Sequence, residues 1–224
     1  MREYQPWDDS WSEQLVYLLI PGEIDAPVEM PAHFYYPIFL GAFEKKLNPR
    51  DFWQAIAGSM IYVLGHRPSH ADVSSYIYWL NTYNPHIAAE IIHDGIEQAS
   101  WGDYARAAWL FQAAVLLDPN RTEGHFNLGL TYYQMGLTLT EKDSGEEAES
   151  CFLQAAQYLK NTVELDEYFS LAYYNLGFVY QRLGLRDESK KYMEQGITQA
   201  LARLSSGTMH GSYASYKDLP AERE

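Results

Sequence analysis

The chain has 224 residues, of which 47% are apolar and 21% are charged, so it is long enough and apolar enough to fold around a sizeable core. Its formal net charge of −14 argues against nucleic acid and anionic membranes as partners, because both require a basic surface. The single cysteine, Cys151, excludes an internal disulfide bond and a cysteine-based zinc site.

The N-terminal region, residues 1–53, is predicted to form short helices joined by an irregular connection. Ser10 is followed three residues later by a glutamate, the spacing of a helix start, and this helix is expected to continue to Leu19. Pro37 is well placed in the first turn of a second helix. No stretch has the basic start and apolar run of a signal peptide or the length of a membrane span. We therefore expect a cytoplasmic protein.

The rest of the chain as far as residue 203 has the periodicity of successive helices. The stretch ARAAWLFQAAVLL, residues 105–117, places apolar residues at spacings of three and four, and Pro119 follows its end. Two similar stretches come next, HFNLGLTYYQMG and YYNLGFVYQRLG. Their Leu-Gly pairs, at Gly129 and Gly177, lie 48 residues apart.

These stretches resemble the tetratricopeptide repeat, a 34-residue unit of two antiparallel helices with small residues where the helices cross. A proline typically follows the second helix, and Pro85 and Pro119 are 34 residues apart. We assign four repeats on this basis: a degenerate one at 54–87, then 88–121, an extended one at 122–169, and 170–203. The resemblance implies an all-α fold, a right-handed superhelical array of antiparallel helix pairs, with the helical N-terminal region as its cap.

The extended repeat exceeds the 34-residue unit by 14 residues. Ser144 and Glu147 have the spacing of a capping box, so helical sequence continues on both sides of a polar turn. Seven extra residues in each helix would lengthen each by about 10 Å, and we expect a long hairpin centred on residues 136–152.

The last helix is expected to finish the stack, with one apolar stripe on one side. The stripe contains Met193, Ile197, Ala200, Leu201 and Leu204. Residues 204–224 are rich in glycine and serine and are predicted to form a mobile tail.

The resemblance also implies a binding site. In this family the first helices of successive repeats line a concave groove that holds a peptide, and the asparagine before Leu-Gly often hydrogen-bonds the peptide backbone. Asn127 and Asn175 match that position, which His93 occupies in the repeat at 88–121. The predicted peptide-binding residues are Ile92, His93, Ile96, Phe126, Asn127, Leu130, Tyr133, Tyr174, Asn175, Phe178 and Arg182.

The sequence contains no motif that indicates an enzyme, a metal site or a bound cofactor. It has no glycine-rich phosphate loop, no G-x-S-x-G and no H-E-x-x-H. His66 and His70 are four residues apart, but Pro68 between them should break the helix and separate their side chains.

Two functional hypotheses follow. The first is a non-catalytic adaptor or scaffold that binds a peptide or helix in an apolar, aromatic groove, and that could act like a chaperone for an apolar segment. The second is a structural homo-oligomer whose groove or long hairpin is filled by its own chain or by a second copy. A measurement of mass in solution distinguishes a monomeric adaptor from an oligomer.

Overall fold

The computed structural model describes residues 15–20, 26–31 and 33–206. They divide between two compact units, Met1–Ala88 and Ala89–Glu224. The predicted start of the first helix at Ser10 and the predicted tail from residue 207 onward lie outside the described residues.

In its described residues, the first unit has a pair of antiparallel strands followed by helices. Its elements are β1 (Leu15–Leu19), β2 (Tyr35–Phe39), α1 (Leu40–Phe43), α2 (Pro49–His66) and α3 (Val73–Tyr83). The strand β2 packs against α2, and α2 packs against α3. The degenerate repeat assigned at 54–87 therefore corresponds to α2 and α3, and α2 begins five residues before the assigned boundary.

The prediction of helices around Leu19 and Pro37 is wrong for the described residues, because both segments are β-strands. A run of five apolar residues has no helical or strand period of its own, so periodicity could not separate the two. Tyr17 pairs with Pro37 across the sheet. The Phe39 N–H donates to the Ser59 hydroxyl at 3.2 Å, away from β1. Pro37, two residues earlier, faces the same way, so its missing N–H costs the sheet no hydrogen bond.

Aromatic side chains form a connected cluster in the core of this unit. Tyr36 and Trp53 meet edge to face with ring centroids 5.7 Å apart, and Trp53 lies 6.1 Å from Trp79. The helix α2 starts where Asn48 accepts a hydrogen bond from the Asp51 N–H at 3.0 Å, an N-cap that the sequence analysis did not single out.

The second unit consists of six helices in its described part. They are α4 (Ile87–Ser100, whose first two residues belong to the first unit), α5 (Tyr104–Leu117), α6 (Thr122–Glu141), α7 (Gly145–Leu165), α8 (Ser170–Arg182) and α9 (Arg186–Ser206). From α5 onward each helix packs against the next. The sequence predicts a fold of adjacent, paired helices, and this prediction is confirmed. In the described residues, the strands β1 and β2 are the elements that depart from it.

Each of three helix pairs, α4–α5, α6–α7 and α8–α9, has a glycine at the point where its two helices cross. A Cβ on Gly95 would lie 2.6 Å from the Phe111 ring, and one on Gly129 would lie 2.8 Å from Leu159. A Cβ on Gly177 would overlap Met193. The glycine and the residue that it faces are 16 positions apart in the first and last pairs and 30 positions apart in the middle pair. The whole surplus of 14 residues therefore lies between Gly129 and Leu159.

The surplus is divided equally between α6 and α7. Gly136 is seven residues after Gly129, and Phe152 is seven residues before Leu159. A Cβ on Gly136 would lie 2.6 Å from the Phe152 ring, so the offset of 16 recurs two turns further along the hairpin. The helices have 20 and 21 residues, against 14 in both α4 and α5. The added turns of the two helices thus pack against each other with the same geometry as the repeat itself, as the 48-residue spacing predicts.

The prediction that α9 finishes the stack with its apolar stripe is wrong for Ile197, Leu201 and Leu204, which are exposed. Met193, the first residue of the stripe, does contact α8 opposite Gly177. Gly196 also lies against α8, where a Cβ would lie 3.2 Å from Tyr173 and 3.3 Å from the Ser170 carbonyl. The stripe residues Ile197 and Leu201 lie on another side of the helix and are exposed to solvent.

Candidate binding face

One side of α8 carries exposed apolar and aromatic side chains at helical spacing. Leu171 is 52% exposed and Tyr174 is 50% exposed, while Phe178 is half-buried and Arg182 is exposed. The rings of Tyr174 and Phe178 meet edge to face at 4.8 Å. Intervals of three or four residues place these side chains on one side of the helix. We call Leu171, Tyr174, Asn175, Phe178 and Arg182 the α8 face.

The opposite side of α8 is fixed by its neighbours. Phe169, the residue before the helix, is buried, and its ring lies 4.6 Å from Phe126 of α6. Tyr180 stacks on Tyr192 of α9 at 5.2 Å. The Lys160 ammonium of α7 lies 5.6 Å from the Tyr180 ring. A hydrogen bond to Tyr180 raises the pKa of Lys160, against the lowering effect of burial. The α8 face therefore lies on a helix whose opposite side packs against residues of α6, α7 and α9.

The predicted lining residues on α4 and α6 are placed differently. Ile92, Ile96, Phe126 and Leu130 are buried, and Asn127 is completely buried. A peptide that binds the structure as it stands would not touch these five side chains. They contribute to the packing of the unit: Ile92, for example, lies 3.7 Å from a Cβ placed on Gly124.

Two predicted lining residues outside the α8 face are accessible. Tyr133 is half-buried, with its ring 5.9 Å from Phe152 of the hairpin. His93 is exposed on α4 beside Asp94. Burial raises the pKa of the Asp94 carboxyl, and the neighbouring His93 acts in the opposite direction.

The two asparagines that the sequence places in equivalent positions have different surroundings. Each donates its side-chain amide to a carbonyl one turn earlier in its own helix, Asn127 to Glu123 at 3.0 Å and Asn175 to Leu171 at 2.7 Å. Asn175, however, is partly exposed. Only Asn175 can offer its remaining hydrogen-bonding capacity to a peptide backbone without a rearrangement.

This difference predicts opposite effects of the same substitution. Asn127→Ala removes a fully buried amide together with its hydrogen bonds, and should lower the free energy of unfolding by about 1–3 kcal/mol. Asn175→Ala should change it by less than about 0.5 kcal/mol, as is usual at a surface. Urea denaturation of both variants measures the two values, and equal losses would contradict the assignment of Asn175 to the surface.

The two histidines of the first unit, His66 and His70, have different surroundings. His66 ends α2, where its Nδ1 lies 3.0 Å from the Tyr62 carbonyl. The His70 ring stacks between Tyr17 and Tyr76, at 6.0 and 5.7 Å. Across the described ranges, no group of three or more His, Cys, Asp or Glu side chains is arranged to hold a metal ion.

A helix that spans a membrane needs about 20 consecutive, predominantly apolar residues. None of the helices within residues 40–206 combines the necessary length with a sufficiently apolar composition.

Sequence reasoning missed Leu171 as a member of the α8 face. It precedes Tyr174 by three residues, and this spacing was visible in the sequence. The exposed stripe of α9 was recognised as a stripe but was assigned to the interior of the stack.

The fold and the face together define a repeat protein built from helix pairs, a class that presents surfaces for protein–protein interaction. Residues 171–202, which form most of α8 and α9, match the family model of the tetratricopeptide repeat. This match identifies the last helix pair as a tetratricopeptide repeat.

Two solved structures, both of MamA, are similar to this chain. The "Crystal structure of MamA" is 17% identical, with a TM-score of 0.46, and the alignment covers 70% of this chain and 93% of that one. The "Crystal structure of MamA protein" is also 17% identical with a TM-score of 0.46, and covers 73% and 91%. No curated protein matches the sequence.

Proposed function

We propose that the chain is a non-catalytic adaptor in the cytoplasm that binds a polypeptide segment, extended or helical, on the α8 face. The observation that carries this proposal is the exposed row of Leu171, Tyr174 and Phe178 on a helix whose other side is fixed. Aromatic side chains supply a large contact area at a small cost in conformational entropy, and they are enriched among residues that dominate binding energy.

The chemistry of the face suggests the kind of segment that it takes. Its apolar row favours aliphatic or aromatic side chains, and Asn175 can pair with a main-chain group. Arg182 lies in the last turn of α8, where it could pair with a carboxylate of the segment. The net charge of −14 favours a segment whose flanks are basic or neutral. Holding such an apolar segment would be a chaperone-like role.

The remaining predicted lining residues enter the proposal in two ways. Tyr133 and His93 are accessible and could extend the contact beyond α8. Ile92, Ile96, Phe126, Asn127 and Leu130 would act indirectly, by fixing the helices that present the face.

Selection from a random peptide display library on the full chain tests the proposal. Selected peptides should lose at least about tenfold in affinity for the variant Tyr174→Ala/Phe178→Ala, because central aromatic contacts each contribute more than about 1 kcal/mol. A suitable control is Tyr78→Ala, which removes an exposed tyrosine of α3. Isothermal titration calorimetry gives the affinities, and circular dichroism confirms that both variants remain folded.

Two results would contradict the proposal. The library could yield no binder, or its binders could be as sensitive to Tyr78→Ala as to the α8 variant. The alternative function, a homo-oligomer whose groove or hairpin is filled by its own chain or a second copy, predicts the first result. It also predicts a mass in solution that changes when residues 136–152 are replaced by a short turn.

A further inference from the structure

A second apolar surface lies on α9, the partner helix of α8. Ile197 and Leu201 are each 61% exposed, and Leu204 is 80% exposed. Intervals of four and three residues place the three side chains on one side of the helix. Large aliphatic side chains rarely stand in an exposed row unless they contact a partner. We call Ile197, Leu201 and Leu204 the α9 stripe.

The length of α9 explains why α8 does not cover the C-terminal end of this stripe. The helix has 21 residues and is about 30 Å long, whereas α8 has 13 residues and is about 20 Å long. The two helices run antiparallel, and Gly196 already lies against Ser170, the first residue of α8. Residues 200–206 therefore extend past the start of α8.

The distribution of charge indicates which partner this helix can accept. Residues 186–206 contain four lysines and arginines against three aspartates and glutamates, a net charge of +1. The other 203 residues of the chain therefore carry −15. Two copies of so acidic a protein repel each other, and the repulsion is smallest when they meet through α9.

The spacing of the stripe is compatible with self-association. An antiparallel helix pair with a two-fold axis next to Leu201 brings Ile197 of each copy opposite Leu204 of the other. Leu201 then contacts its own counterpart, and Ala200 lies beside the axis. An interface of this kind is isologous, so it closes at two copies and buries every member of the stripe.

We propose that α9 is a dimerisation helix, in which the α9 stripe packs antiparallel against the same stripe of a second copy of this chain. This goes beyond the proposed peptide binding, which uses α8. Because one helix of each copy forms a small interface, the expected dissociation constant is about 1–100 µM.

Sedimentation equilibrium of the full chain over a range of concentrations tests the proposal. The wild-type chain should show a monomer–dimer equilibrium. Leu201→Glu should weaken it by about 100-fold or more, because it removes two leucines from the interface and places two carboxylates at the axis. The matched control is Leu153→Glu, an exposed leucine of α7, which should leave the equilibrium unchanged.

A cysteine cross-link provides a second measurement that does not disturb the stripe. The only natural cysteine, Cys151, is buried, and burial raises the pKa of its thiol, so it should react slowly. Under mild oxidation Ala200→Cys should form a disulfide-linked dimer, while Gln195→Cys, on the opposite side of α9, should not. If circular dichroism shows that Leu201→Glu is unfolded, the cross-link tests the proposed dimer without that variant.

Three outcomes would overturn the proposal. The full chain could remain a monomer at every concentration, or its dimer could survive Leu201→Glu with Ala200→Cys uncross-linked. In the third outcome, deletion of residues 207–224 converts a monomer into a dimer, which would show that this segment covers the stripe instead. Peptide binding to the α8 face is measured separately, so each of these results leaves the proposed function intact.

Discussion

Gly177→Leu is expected to lower the free energy of unfolding by at least about 1–3 kcal/mol, the range typical of overpacking in a core. Even the first carbon of the new side chain would overlap Met193, and it would lie 3.2 Å from the Ser189 carbonyl. The methionine is flexible and can move, but the carbonyl belongs to the backbone of α9. The two helices must therefore separate, which exposes the contacts that hold the last repeat together.

A matched substitution shows whether the effect arises from this close approach. Gly145→Leu introduces the same side chain at the first residue of α7, where nothing lies within 4 Å of the new Cβ. It should change the stability by less than about 0.5 kcal/mol. Thermal and urea denaturation of both variants give the comparison. Equal losses in the two variants would mean that Gly177 is not at a helix crossing and that the register of the repeats is misassigned.

The sequence predicts the second unit well because its helices satisfy their requirements locally. In each helix pair a glycine lies where the two helices cross, and a proline or polar turn ends each helix. Both features recur at fixed distances along the sequence. The interval between Gly129 and Gly177 sufficed to predict a hairpin with seven added residues on each side. The contact of Gly136 with Phe152 is the structural counterpart of that interval.

The first unit was harder to predict because its strands depend on distant residues. Tyr17 and Pro37 are 20 residues apart, and the partner of the Phe39 N–H is a serine another 20 residues away. Five-residue apolar segments carry no local sign of this pairing.

The same reason limited the prediction of the binding face. Asn127 and Asn175 occupy equivalent places in two very similar stretches, yet one is completely buried and the other is partly exposed. Exposure depends on what packs above a helix, and neither stretch contains that information. The α9 stripe is a further example, since its apolar period was evident but the side that faces α8 was not.

The largest effect on stability is expected from Phe169→Ala, at about 3–5 kcal/mol. Phe169 is 1% exposed and lies at the junction of α7 and α8, where its ring packs 4.6 Å from Phe126. Removal of the ring leaves a cavity next to Phe126 of α6, and the turn that precedes α8 loses its anchor in the core. The neighbouring residue Tyr168 is more than 40% exposed, so Tyr168→Ala is a control of similar size that should cost less than about 1 kcal/mol. Urea denaturation gives both values, and hydrogen exchange shows where protection is lost. We expect the loss in Phe169→Ala to be greatest in α8, because this anchor fixes the position of the α8 face. A variant that keeps full protection in α8 would contradict that role.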